Sequence, residues 1–163
     1  MTLVLETVED LDAAILRICE AESERLQQRS LREALGHLYT LREHRVSQQN
    51  LMRRKHDPTA EKYVDLAKGD SDGRVAEGVV FMRGQLVHQV TKTVGVKLTD
   101  VFINRFTNLV GALAWLHLDE MGVKLPVGDQ LECYRTYVMG RPVLDTLDVA
   151  RKFLVESPDL GAL

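Results

Sequence analysis

One stretch of this chain, residues 72–91, carries apolar side chains at helical spacing over almost its whole length. The apolar positions recur every three or four residues, at Val75, Val79, Met82, Leu86 and Val90. That spacing is the period of a buried stripe on an α-helix, and Val80 and Val87 widen it. A helix that is apolar around so much of its circumference is buried on more than one side. We therefore predict a central helix, with Ser71 or Asp72 as its N-cap.

Two glycines, Gly78 and Gly84, interrupt this apolar stretch. Each is expected to weaken a helix by about 1 kcal/mol relative to alanine. Because glycine has no side chain, we expect another backbone or a ligand to approach the helix closely at these positions.

The remaining segments also favour helices. The first begins with Thr7 as its cap, and the second begins at a capping box formed by Ser30 and Glu33, or continues there after a break, and runs to about Lys55. Further helices are predicted over residues 60–68, 101–121, 130–139 and 143–154, although residues 114–118 could instead be extended. The predicted fold is all-α, a compact bundle of five to seven helices. It forms a single domain over residues 1–163, with a frayed tail from about residue 157.

Composition narrows the class of protein. The chain has 163 residues, of which 45% are hydrophobic and 28% charged, with a net charge of −3; these values are ordinary for a globular domain. We see no signal peptide and no stretch apolar enough to span a membrane. Cys19 and Cys133 lie far apart, which favours a reducing cytoplasm over a disulfide scaffold. The histidines show no ligand spacing, so we predict no metal site and no cofactor.

Arg83 and His88 form the one pair of residues that suggests chemistry. Histidine exchanges protons near neutral pH, and arginine can hold a phosphate with two parallel hydrogen bonds. Together they suit cleavage of an RNA phosphodiester, with His88 as general acid or base and Arg83 as the group that stabilises developing negative charge. Five residues correspond to about 140° of helical rotation. The two side chains would therefore meet across a groove, a kink or a dimer interface.

The segment from Arg83 to His88 has the form Arg, four residues, His, and resembles the motif of HEPN domains. These are compact helical bundles found among prokaryotic toxins, phage-defence factors and RNA-processing enzymes. The resemblance implies a metal-independent endoribonuclease, often a homodimer whose two motifs meet across the interface. In the family a polar residue usually follows the arginine, whereas here the residue is Gly84. Some members of the family bind without cutting.

Four further residues are candidate substrate contacts. Gln85 lies between Arg83 and His88, and the basic cluster Arg53, Arg54 and Lys55 closes the second predicted helix. Cations at a helix C-terminus interact favourably with the helix dipole, which is a purely structural interpretation of the cluster. A phosphate-binding patch is the functional interpretation.

A structural interpretation also competes with the nuclease. Arg83 would then be a surface or ion-paired arginine and His88 a helix histidine. The chain would be a non-enzymatic interaction module, a homodimer or partner-binding protein that uses the aromatic face from Phe102 to Leu118. The segment from Tyr137 to Asp148 is similar to uncharacterised proteins of actinobacteria and their phages, which have no known activity. A third interpretation is nucleotide binding without cleavage, but the sequence contains no glycine-rich phosphate loop that would support it.

Overall fold

The computed structural model of the protein describes residues 2–88, 94–95, 113–121 and 127–160. The described residues contain six α-helices: α1 (Thr2–Glu20), α2 (Glu24–Lys55), α3 (Tyr63–Gly69), α4 (Ser71–His88), α5 (Asp129–Cys133) and α6 (Val143–Glu156). A π-helical turn (Tyr134–Val138) continues α5, and 3-10 turns occupy Leu118–Met121 and Pro158–Leu160. Strands β1 (Val94–Gly95) and β2 (Ala114–Trp115) pair antiparallel. The prediction of an all-α bundle of five to seven helices is confirmed.

Helix α4 is the centre of this bundle. It packs against α2, α3, α5 and α6, and every residue from 75 to 82 is buried. Its N-cap is Asp70, whose Oδ1 accepts hydrogen bonds from the backbone N–H groups of Asp72 and Gly73 at 2.7 and 2.9 Å. The predicted caps, Ser71 and Asp72, are therefore one or two residues too late.

The predicted N-terminal ends of the first two helices are both wrong. Thr7 does not cap α1 but lies buried inside it, because the apolar face of the helix extends back to Val4. Ser30 is likewise internal to α2, because Ser23 already provides the cap. The Ser23 Oγ accepts a hydrogen bond from the Leu26 N–H at 3.4 Å.

Ala114 and Trp115 are extended rather than helical, which agrees with the alternative prediction for residues 114–118. Of the long helix predicted over residues 101–121, residues 101–112 lie outside the described part. The Trp115 N–H donates to the Arg141 carbonyl oxygen and the Gly140 N–H donates to the Trp115 carbonyl oxygen, both at 3.1 Å. These bonds satisfy the extended backbone without a helix. Gly140 adopts a φ of +75°, which allows the turn that brings residues 140–142 alongside β2.

A buried arginine ties the end of the chain to α2. Arg45 is fully buried, and its guanidinium donates to the carbonyl oxygens of Leu154, Val155 and Leu160 at 2.7, 3.2 and 3.1 Å, and to Gln48 Oε1 at 3.0 Å. Burial lowers the pKa of Arg45. The carbonyl groups at the C-terminal end of α6 carry partial negative charge, which offsets the cost of burying this cation.

The sequence analysis predicted a frayed tail from about residue 157, but the structure shows a folded segment there. It forms the 3-10 turn Pro158–Leu160, in which Leu160 is only 2% exposed and accepts a hydrogen bond from Arg45.

Gly78 and Gly84 provide a matched test of packing around α4. A Cβ at Gly78 would lie 2.7 Å from Val138 Cγ2 and 2.9 Å from the Tyr134 backbone nitrogen. A Cβ at Gly84 would meet no described atom within 4 Å. We expect Gly78→Ala to lower the free energy of unfolding by about 1–3 kcal/mol through overpacking. Gly84→Ala should raise it by up to about 1 kcal/mol through helix propensity. Urea denaturation measures both, and equal effects would contradict the close approach at Gly78.

The Arg45 contact gives a second stability prediction. Arg45→Met keeps much of the side-chain volume but leaves the carbonyl groups of Leu154, Val155 and Leu160 without this donor. We expect a loss of about 2–4 kcal/mol in the free energy of unfolding. Hydrogen exchange in residues 154–160 should rise more than in α1. Arg25→Met, at an exposed position, serves as the control and should change stability by less than about 0.5 kcal/mol.

Candidate functional site

Arg83 lies on the side of α4 that faces α2. Its guanidinium lies over the ring of Tyr39, with 4.1 Å between the guanidinium carbon and the ring centroid. The side chain is half-buried, and it forms no hydrogen bond or ion pair with another described residue. A stacked guanidinium uses its flat face for the ring. Its N–H donors lie in the plane and remain available for another acceptor.

The structure places His88 and Gln85 only through their backbone, as members of α4. Their side chains lie outside the described part. His88 follows Glu77 by eleven residues, so the two positions share one helix face to within about 20°, whereas Arg83 is about 140° away from His88. Gly84 lies near the His88 face and is exposed. Arg83 belongs to the contact with α2, and the helical angle separates the His88 position from Arg83 on a regular helix.

The basic cluster is at the other end of the bundle. Helix α4 runs antiparallel to α2, because Glu77 contacts Arg42 whereas the later residue Arg83 contacts the earlier residue Tyr39. The 14 residues from Tyr39 to Arg53 span about 21 Å of α2, and Arg54 and Lys55 are farther away. Arg54 and Lys55 are exposed, and the Nε of Arg53 is buried without a described partner. The structure does not bring Arg53, Arg54 and Lys55 together with Arg83.

A buried polar cluster that the sequence analysis did not identify lies on α4, around Glu77, six residues before Arg83. The Glu77 carboxylate accepts two hydrogen bonds from Arg42, from Nε at 3.0 Å and from Nη2 at 3.2 Å, and a third from Gln130 Nε2 at 2.8 Å. The side chain of Glu77 is only 8% exposed. Burial lowers the pKa of Arg42, but the hydrogen bonds and charge of Glu77 raise it more, so the net shift is upward. The Arg42 guanidinium therefore remains charged.

Tyr63 completes this cluster. It is 2% exposed, and its ring contacts the Arg42 guanidinium with 5.4 Å from the guanidinium carbon to the ring centroid. Its hydroxyl has no described hydrogen-bond partner of ordinary geometry. Burial, followed by the negative charge of Glu77, raises the pKa of Tyr63. The phenol is therefore neutral and can act as a donor.

A cavity of about 270 Å³ opens beside Glu77. Phe81 and Leu131 form part of its apolar wall, and Arg42, Gln130 and Cys133 part of its polar wall. Burial raises the pKa of the Cys133 thiol, which makes this cysteine a poor nucleophile. At the rim Lys68 and Asp129 form an exposed ion pair of 2.6 Å. The cavity is small, and its charged groups are already paired with one another.

The sequence did contain a signal for the buried charges. Glu77 is the only charged residue between Val75 and Met82, within a run of otherwise apolar residues and glycine. Arg45 follows Leu38 and Leu41 at spacings of seven and four, on the same apolar stripe of α2. A charge inside an apolar stripe requires a partner when the stripe is buried.

The proposed aromatic face is described only at its end. Residues 102–112 of the segment from Phe102 to Leu118 lie outside the described part. Leu113 and Trp115 are 5% and 2% exposed, and the indole N–H of Trp115 donates to Thr146 Oγ1 at 2.6 Å. This end of the segment belongs to the core of the bundle.

Comparisons with protein-family models, with curated proteins and with solved structures found no match to this chain. Among the described residues, none of the helices has the length and apolar character needed to cross a membrane. The same part of the chain holds no group of three or more His, Cys, Asp or Glu side chains arranged to bind a metal ion.

The Glu77–Arg42 pair predicts strong energetic coupling. We expect Glu77→Ala to lower the free energy of unfolding by about 3–5 kcal/mol, because Arg42 would lose its buried partner. In a double-mutant cycle, the double variant Arg42→Met, Glu77→Leu should be less destabilised than the sum of the effects of Arg42→Met alone and Glu77→Leu alone.

The exposed pair at the cavity rim is the control for this cycle. Lys68→Ala breaks the contact with Asp129 and should cost less than about 1 kcal/mol. Chemical denaturation of all variants measures these differences. Additive effects of the Arg42 and Glu77 substitutions would show that the pair is not a coupled unit.

Proposed function

We propose that this protein acts on RNA as a HEPN-like, metal-independent endoribonuclease, in which Arg83 binds the phosphate and His88 transfers protons. The proposal rests on the contacts that the Arg83 guanidinium makes. Its guanidinium is held against Tyr39 with no described acceptor for its N–H groups, and it precedes His88 by five residues. An arginine with uncommitted in-plane donors suits bidentate binding of a phosphate.

The chemistry needs only these two kinds of group. Attack of a ribose 2′-hydroxyl on the adjacent phosphorus cleaves the RNA chain, and the 5′-oxygen leaves. A histidine can remove the proton from the hydroxyl or supply one to the leaving oxygen. The two non-bridging oxygens gain negative charge in the transition state, and a fixed guanidinium stabilises that charge.

The helical angle favours a homodimer for this reaction. Arg83 and His88 are about 140° apart on α4, so one copy does not direct both positions to the same point of a regular helix. The resemblance to HEPN domains implies that two motifs meet across an interface. In the proposal, Arg83 of one copy and His88 of the other act on one phosphate.

A non-enzymatic interaction module is the second candidate. The observation in its favour is on α1, where Leu5 and Leu16 are 54% and 56% exposed. They lie eleven residues apart, within about 20° of the same helix face. Two large exposed apolar side chains on one face suit a contact with a second copy or another protein.

The first test is RNA cleavage with metal ions removed by EDTA, using the wild type, Arg83→Ala and His88→Ala on a broad mixture of RNAs. We expect His88→Ala to reduce the cleavage rate by about 10²- to 10⁴-fold, through loss of proton transfer. Arg83→Ala should reduce it by about 10²- to 10³-fold, through loss of charge stabilisation. Circular dichroism should first show that both variants are folded.

Arg25→Ala is the matched control, because it removes the same charge from an exposed position about 21 Å from Tyr39 along α2. It should cleave at nearly the wild-type rate. Cleavage lost only in Arg83→Ala and His88→Ala would support the nuclease and both roles. Absence of cleavage by the wild type on every RNA would favour the interaction module.

A further inference from the structure

We infer that Tyr39 is the positioning residue for Arg83, and that it orients the guanidinium edge toward an RNA phosphate. This inference rests on the proposed function of Arg83. It concerns a residue on a different helix, 44 positions earlier in the chain, which lies outside the motif from Arg83 to His88.

The contact of Arg83 with Tyr39 differs from the other guanidinium–ring contacts in the described residues. Its separation is 4.1 Å, compared with 5.4 Å for Arg42 on Tyr63 and 5.5 Å for Arg74 on Tyr137.

Hydrogen bonds also fix the two more distant arginines. Arg42 is bonded to Glu77, and Arg74 donates to the Lys68 carbonyl oxygen and to the Tyr137 hydroxyl. Arg83 has no such bond to a described residue, so the ring is the one described group that holds its guanidinium.

The geometry explains why a ring, rather than a carboxylate, suits this role. A carboxylate partner would occupy the same N–H edges that a phosphate needs. An aromatic ring attracts the cation through the face of the guanidinium and leaves those edges open. Tyr39 therefore limits the movement of a long side chain without competing with the phosphate. Because Tyr39 and Arg83 are both half-buried, the stack lies partly within the interface between α2 and α4.

Two substitutions separate the ring from the hydroxyl. Tyr39→Phe keeps the ring and should preserve RNA affinity. Tyr39→Leu removes the ring, and we expect it to weaken RNA binding by about two- to fivefold, the range for a partly exposed cation–π contact. The effect should vanish when Arg83 is already alanine, because Tyr39 acts through Arg83. All binding is measured in the His88→Ala protein, so that the RNA is not consumed.

The experiment has one readout with RNA and one without it. Fluorescence anisotropy with a labelled single-stranded RNA of mixed sequence measures affinity for each variant. NMR of the arginine Nε–Hε groups, without RNA, reports the stack directly, because the ring current of Tyr39 shifts the Arg83 Hε signal. That shift should persist in Tyr39→Phe and disappear in Tyr39→Leu. Tyr137→Leu is the matched control, since it removes a ring beside Arg74 and should leave both the Arg83 signal and RNA affinity unchanged.

The possible outcomes separate a failure of the Tyr39 positioning role from a failure of the proposed RNA function. Loss of the NMR shift together with weaker binding in Tyr39→Leu alone supports the positioning role. Equal RNA affinity in Tyr39→Leu and Tyr39→Phe, with RNA bound by the parent, overturns that role and leaves the proposed function intact. If the parent protein binds no RNA, the proposed function fails and the positioning role fails with it, although the NMR shift would still report the contact.

Discussion

The burial of α4 is the constraint on which the rest of the structure depends. Eight consecutive residues of this helix, 75–82, are buried, so the helix needs neighbours on every side over two turns. Helices α2, α3, α5 and α6 provide them. The approach of the α5 segment is so close that Gly78 leaves no room for a Cβ. The long helix α2 in turn carries α1, which makes most of its contacts there.

The same burial dictates how the charged residues inside the bundle are used. Glu77 lies within the buried run, and it is compatible with that position because Arg42 and Gln130 satisfy its carboxylate. Arg45 solves the equivalent problem without a carboxylate, since carbonyl groups at the end of α6 accept its hydrogen bonds. An unpaired charge in either place would cost several kcal/mol. These two arginines are therefore committed to holding the fold together.

Arg83 is a contrasting case on the same helix pair. It also lies between α2 and α4, but an aromatic ring holds it, and its donors have no described acceptor. The bundle thus holds this guanidinium against a ring without pairing it with a described carboxylate. That distinction separates Arg83 from Arg42 and Arg45, and it is the reason that the proposed RNA chemistry is centred on Arg83 rather than on the buried Glu77 cluster of the same helix.

The sequence by itself determined the helical class, the central position of α4 and the end of α2 at Lys55, because apolar spacing and helix breakers are local signals. It also identified Arg83 as a candidate. Only the tertiary structure decided which side chains contact one another. Tyr39 and Arg83 meet, as do Arg42 and Glu77, because two distant segments run antiparallel. The same arrangement separates Arg53, Arg54 and Lys55 from Arg83. The extended conformation at Trp115 and the buried position of Leu160 also depend on hydrogen bonds to remote residues. No local periodicity encodes such pairings, since they arise when helices pack around one buried core.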